Sequence, residues 1–257
     1  MPGLQLRRLA VVLSCFMLCV PPVAATWSIV AVDETTGEVG AAAATCTVGV
    51  ELILGLVPGR GVVVAQAATN FEARDRAREL IAAGASASDV LAAIANEDFN
   101  PGGFFSAPWT EQQYGVATLV DGRALAFTGE ATPRWRGAHD AAGVSVQGNI
   151  LRSEAVVGST LAAFQRTDGP LAHRLITALE AGAAVGGDAR CDSDRAALSA
   201  FVAVAEKSDT ADSPSLYLVA PREFGLLGAA WNKLVPYRPG AKIPGAVRAL
   251  RKMYEEI

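Results

Sequence analysis

Between Glu38 and Cys46 the chain reads EVGAAAATC, a strand in which four consecutive alanines, Ala41 to Ala44, leave nothing bulky to pack. Such a strand cannot fill a core by itself. It needs another layer brought close against the sheet, or it floors a cleft. Ahead of it Thr26 to Asp33 (TWSIVAVD) alternates β-branched and apolar residues, and Glu34-Thr35-Thr36-Gly37 supplies the hairpin turn between the two strands.

Everything before that hairpin reads as a targeting segment. Arg7 and Arg8 precede a twelve-residue apolar run, Leu9 to Val20, then Pro21-Pro22 and small residues. Val23 and Ala25 stand at the −3 and −1 positions of a signal-peptidase site that cuts before Thr26. A membrane anchor is a poorer reading, because twelve residues make a helix of only about 18 Å against a bilayer core of roughly 30 Å. Val12-Leu13-Ser14-Cys15 loosely resembles a lipobox, but the apolar run ahead of that cut would be too short. The expectation is a signal peptide over 1–25, a secreted or periplasmic protein, and no membrane association after the cut.

Residues 26–220 then read as one domain. Gly61 to Ala68 is a third strand, and helical periodicity runs from Phe71 to Ala83, closed by Gly84. A second helix opens at Ser86 with a capping box, Ser86 accepting from the Asp89 amide and Asp89 reaching back. It runs to about Asn96 and gives way to a Gly/Pro loop, Asp98 to Pro108. Gln113 to Val120 and Arg123 to Phe127, joined at Asp121-Gly122, give the clearest hairpin signal in the chain. Strands are expected at Val144 to Gln147, Ala196 to Ala205 and Leu216 to Ala220, helices at Ser153 to Phe164 and Pro170 to Ala181. Residues 221–257 read as an extension packed on the domain, ending in a helix near Val247 to Glu256. Strands, helices, strands, helices, strands in that order mean a layered α+β arrangement of hairpin-linked strands, not the regular alternation of a doubly wound sheet.

Composition removes several functions. At 51% apolar and 19% charged residues the bulk of the chain is not disordered, and a net charge of −4 lacks the clustered cations a nucleic-acid binder needs. Two histidines, His139 and His173, exclude a histidine-rich metal centre, and the Asp98–Pro108 loop lacks EF-hand spacing, so neither metal nor cofactor is expected. GxSxG, HExxH and GxxxxGK[ST] are all missing. Removal of 1–25 leaves Cys46 and Cys191, which permit one intramolecular bridge, two buried thiols or an intermolecular bond. The cut itself makes the most informative group. It would leave Thr26 as a free N-terminus at the first residue of a strand, with a nucleophilic hydroxyl and a basic α-amine in one residue. That amine titrates near pH 7.7, so much of it is neutral at physiological pH.

An ordered set of segments resembles the family known as domain of unknown function 1028: TWSIVAVDETTGEVGAAAAT at 26–45, VVVAQAATN at 62–70, QYGVATLVDGRALAFTGE at 113–130, VQGNIL at 146–151, LITALEAGAAVGGDAR at 175–190 and AALSAFVAV at 196–204. The resemblance implies a four-layer αββα sandwich of the N-terminal nucleophile (Ntn) hydrolase type, with the strands of 26–46 and 61–68 near its centre. Members that begin Met-Thr-Phe-Ser would expose threonine by methionine removal; here a signal cut would expose Thr26, followed by Trp27 and Ser28. The segment Cys191 to Arg195 departs from the simple pattern and looks like a secreted branch in which Cys191 pairs with Cys46. A homodimer is a further implication.

The resemblance and the threonine together suggest an amidohydrolase acting on a small-molecule amide. Thr26 would be the nucleophile, and Asn149, with Gln147 and Gly148 beside it, would supply oxyanion donors. Asn70 and Gln66 are alternative donors, and Asp188 and Arg190 could hold the amine or bind a carboxylate. Asp33, roughly 23 Å along the strand from Thr26, reads as a turn residue. The competing reading is a catalytically silent Ntn-like fold that serves as a secreted ligand-binding or scaffolding module.

Overall fold

The computed structural model describes residues 25–100, 107–192, 195–220 and 245–257. The expected signal segment except Ala25, the centre of the expected Gly/Pro loop, residues 193–194 and the first part of the expected C-terminal extension lie outside them. Ten strands are described: β1 (Thr26–Val32), β2 (Val39–Thr45), β3 (Leu54–Val57), β4 (Gly61–Ala67), β5 (Gln112–Thr118), β6 (Arg123–Thr128), β7 (Gly137–Ala141), β8 (Val144–Asn149), β9 (Ser199–Ala205) and β10 (Leu216–Ala220). They form two antiparallel sheets, ordered β10-β9-β2-β1-β8-β7 and β3-β4-β5-β6. Helices α1 (Phe71–Ala82) and α2 (Ala87–Ile94) precede β5; α3 (Ala155–Arg166) and α4 (Leu171–Ala184) precede β9; α5 (Ala246–Glu255) follows β10.

Three apolar clusters define four layers. Val30, Val32, Ala41, Ala43, Val62, Val64 and Phe201 fill the space between the sheets. Trp27, Ile29, Ala42, Ala44 and Val146 pack outward against α3, α4 and α5 through Phe164, Leu175, Leu179 and Leu250. On the far side Val63, Ala65 and Val116 pack against α1 and α2 through Ala77, Ile81 and Val90. The order is helices, six-stranded sheet, four-stranded sheet, helices: the αββα sandwich that the resemblance implied, with β1, β2 and β4 inside it. The alanine strand is explained directly. β2 is buried on both faces, and a Cβ on Gly40 would stand 2.9 Å from the Leu175 Cδ1 of α4. Small residues let a helix and a sheet close on it from opposite sides.

Two strands escape the sequence reading. β3 is four residues long and contains Gly55, while β7 (GAHDA) has no apolar alternation. Both are edge strands, held by their partners rather than by their own pattern. The Ser86 cap forms, its hydroxyl accepting from the Asp89 amide at 3.2 Å, but the Asp89 carboxylate meets that hydroxyl at 2.6 Å instead of reaching a backbone N–H. Cys46 and Cys191 are disulfide-bonded with Cα atoms 5.6 Å apart, as the resemblance implied. Among the described residues no helix is long and apolar enough to cross a membrane.

Candidate active site

Strand alternation places the candidate nucleophile. Trp27, Ile29 and Ala31 face the outer helices and Val30 and Val32 face the second sheet, so Thr26 and Ser28 share the inter-sheet face. Thr26 is buried, the first residue of β1, directly opposite Asn149 in the β1–β8 register. Cross-strand partners carry Cβ atoms about 5 Å apart on one face, so the Asn149 amide lies beside Thr26.

At this end of the sandwich the apolar filling between the sheets gives way to amides and hydroxyls. Ser28 Oγ donates to Gln66 Oε1 at 2.7 Å and accepts from Gln147 Nε2 at 2.6 Å. Gln66 Nε2 donates to Gln113 Oε1 at 2.8 Å and, more weakly, to the Thr26 carbonyl at 3.4 Å. Gln113 in turn donates to Thr128 Oγ1 at 2.8 Å and to the Gly148 carbonyl at 3.0 Å. Ser145 Oγ lies 2.6 Å from Asp140 Oδ1 and 3.0 Å from Gln147 Oε1, its single proton shared between them. Asn149 Nδ2 donates to Gln113 Oε1 at 3.1 Å, while the buried Asn149 Oδ1 has no hydrogen-bond partner among the described residues. A network this buried is stiff when its groups are paired, and the one oxygen left over marks where another donor fits. On the opposite face of β5, burial raises the Tyr114 phenol far above its usual range against the pull of a hydrogen bond to Asn100.

A second set of groups surrounds the peptide bond before Thr26. The fully buried Asp188 carboxylate accepts from Cys46 N at 2.6 Å and Arg190 N at 2.9 Å, and Arg190 grips it side-on through Nε at 3.1 Å and Nη2 at 2.8 Å. The same Nη2 donates to the carbonyl oxygen of Ala25 at 3.1 Å, and the Thr45 hydroxyl donates to that oxygen as well. The Cys46–Cys191 bridge joins the two segments that carry these groups.

Of the candidates read from sequence, Gln66, Gly148 and Asn149 therefore lie beside Thr26, and Arg190, held by Asp188, reaches the Ala25 carbonyl; Gln147 does not join them, its amide being tied to Ser28 and Ser145. Asn70 is engaged otherwise. Its Oδ1 caps α1 by accepting from Ala73 N at 3.0 Å, and its Nδ2 donates to Asn100. Asp33 accepts from the amides of Thr35 and Thr36, the turn role expected of it. Sequence reading missed Gln113, Ser28, Ser145 and Thr45. For Ser28 and Ser145 the signal was available, since β1 (Thr26, Ser28) and β8 (Ser145, Gln147, Asn149) carry polar residues at alternate positions; Gln113, which follows Gln112, and Thr45, the lone polar residue of the alanine strand, show no such pattern.

Residues 26–219 match the sequence model of a family of unknown function, DUF1028. The chain belongs to that family. No curated protein matched. A crystal structure of a DUF1028 protein from Silicibacter pomeroyi superposes with a TM-score of 0.68 at 24% identity, over 90% of this chain and 85% of that one. At that identity the likeness concerns the DUF1028 fold. The crystal structure of eukaryotic HslV from Trypanosoma brucei aligns over 70% of this chain and 99% of its own with 12% identity and a TM-score of 0.40, too faint to build on.

Proposed function

We propose that this chain is an N-terminal-threonine amidohydrolase, acting on a small amide, exported to the periplasm or cell exterior and activated by removal of residues 1–25. The carrying observation is the place of Thr26: first residue of the central strand, on the inter-sheet face, beside Asn149 at the end of a buried amide network. The disulfide fits an oxidising compartment.

In the mature chain the Thr26 hydroxyl attacks the substrate carbonyl carbon and its proton passes to the Thr26 amine. The second Nδ2 hydrogen of Asn149 faces the developing oxyanion. Collapse returns that proton to the leaving nitrogen, and water then hydrolyses the acyl ester with the same amine as base. In the precursor the nitrogen of Thr26 is an amide and cannot act so.

Intact mass of the exported protein should show a chain beginning at Thr26. Against a panel of small amides, Thr26→Ala should abolish turnover and Thr26→Ser should retain part of it. One extra N-terminal alanine should lower it by roughly 10²–10⁴, the worth of a positioned general base. Equal turnover in all these forms would refute the reading. Silence in every folded form would leave the ligand-binding module.

A further inference from the structure

The carbonyl oxygen of Ala25 is held by two donors that belong to the folded domain, the Thr45 hydroxyl and Arg190 Nη2. Thr45 is buried, and Arg190 is fixed by its side-on pair with Asp188. The Asp188 oxygens are filled by four N–H donors, two from Arg190 side-chain nitrogens and two from the backbone of Cys46 and Arg190. Little acceptor capacity remains there for an incoming cation. Asp188 also balances the charge of Arg190, so the surroundings of the Ala25 oxygen are close to neutral while that oxygen belongs to a peptide bond. Cleavage changes this balance. It removes the Ala25 carbonyl and leaves an amine on Thr26, partly protonated at neutral pH. The two donors then face a place next to added positive charge.

We propose that Arg190 and Thr45 form a carboxylate subsite, occupied in the precursor by the Ala25 carbonyl, and that the substrate is an amide bearing a carboxylate close to its scissile bond. This rests on the reading of Thr26 as the processed N-terminus. A guanidinium N–H and a hydroxyl aimed at one point hold one carboxylate oxygen, and the Thr26 amine donates an N–H to the other while, in its neutral form, keeping its lone pair for the hydroxyl proton. The disulfide, by joining Cys46 to the residue after Arg190, keeps the two donors together.

The test is binding of acetate, followed by NMR on the chain beginning at Thr26, with acetamide as the neutral isostere. Acetate should bind and acetamide should not. A chain that retains Ala25 should bind acetate at least about tenfold more weakly, since its own carbonyl fills the place, and this form carries no substitution that could unfold it. Arg190→Gln should weaken binding similarly, and Arg190→Lys should weaken it less. Thr26→Ala should lose turnover but keep acetate binding, which separates this subsite from the catalytic reading. Equal binding of acetate and acetamide, or acetate binding that is indifferent to Ala25, would overturn the subsite even if Thr26 proves catalytic.

Discussion

Gly115 sits where Gln147 needs room: a Cβ there would stand 2.4 Å from Gln147 Nε2. The end of a glutamine can usually swing away, but this one is tied to Ser28 and Ser145. Gly115→Ala should therefore break those bonds without touching Thr26, destabilising the chain by about 1–3 kcal/mol in urea unfolding. Gln113→Leu is the harsher probe. It leaves the donors of Gln66 and Asn149 without their shared acceptor inside the sandwich, and a loss on the order of 2–4 kcal/mol is expected in the same measurement. A cost below about 0.5 kcal/mol in either variant would mean that water replaces the network freely. At this scale the sequence is only partly legible. Thr26 can be singled out because the expected cut and nucleophile chemistry both point at it, and Asn149 because it follows a short strand and a glycine. Gln113 cannot, because a glutamine at the head of a strand looks like an edge residue until the second sheet is laid over it.

Elements were legible where their own residues carry the pattern. The hairpins at Asp33–Gly37 and Asp121–Gly122, the Ser86 cap and the alanine strand all announce themselves through turn chemistry, capping or size. β3 and β7 do not, since what fixes them is the neighbour each pairs with. The turn between β9 and β10 is a third case, held by one carboxylate. Asp209 accepts from Ser215 Oγ at 2.6 Å, Ser215 N at 2.7 Å and Glu206 N at 2.8 Å, and these bonds, Ser215 first, hold its pKa below the ordinary value. A depressed carboxylate contributes stability above its unfolded pKa and loses it as pH falls through the folded one. The melting temperature of Asp209→Asn should therefore lie below that of the parent at neutral pH, and the gap should close between about pH 5 and about pH 2. A gap that stays constant across that range would mean the carboxylate is not what orders the turn. The disulfide acts between elements. It closes a span of 145 residues, so the paired Cys46→Ser and Cys191→Ser variant should lose up to roughly 5 kcal/mol on the chain-entropy estimate.

For the whole molecule, the outer helical layer is closed partly by residues beyond the family match. Ala246, Val247 and Leu250 of α5 are buried in the same cluster as Leu175 and Leu179 of α4, and Arg251 binds Glu180 and Thr177 across the same contact. Leu250→Ala should cost about 2–5 kcal/mol. Ala25 and Thr26 are both almost wholly buried, and the Ala25 carbonyl is gripped by Thr45 and Arg190. A peptidase needs several extended, accessible residues on each side of the bond it cuts, and here one side is already a strand paired to β2 and β8. If residues 1–25 are removed at this bond by an outside enzyme, as proposed above, the cut must therefore precede closure of the sandwich, as it does when a chain is cut during export. Precursor refolded with its leader attached should resist added signal peptidase at Ala25–Thr26, whereas the same precursor presented unfolded should be cut there. The mass of the product distinguishes the two directly. Cleavage of the folded precursor at the rate of the unfolded one would show that β1 opens readily, and the rigid seat assigned to Thr26 would then be wrong.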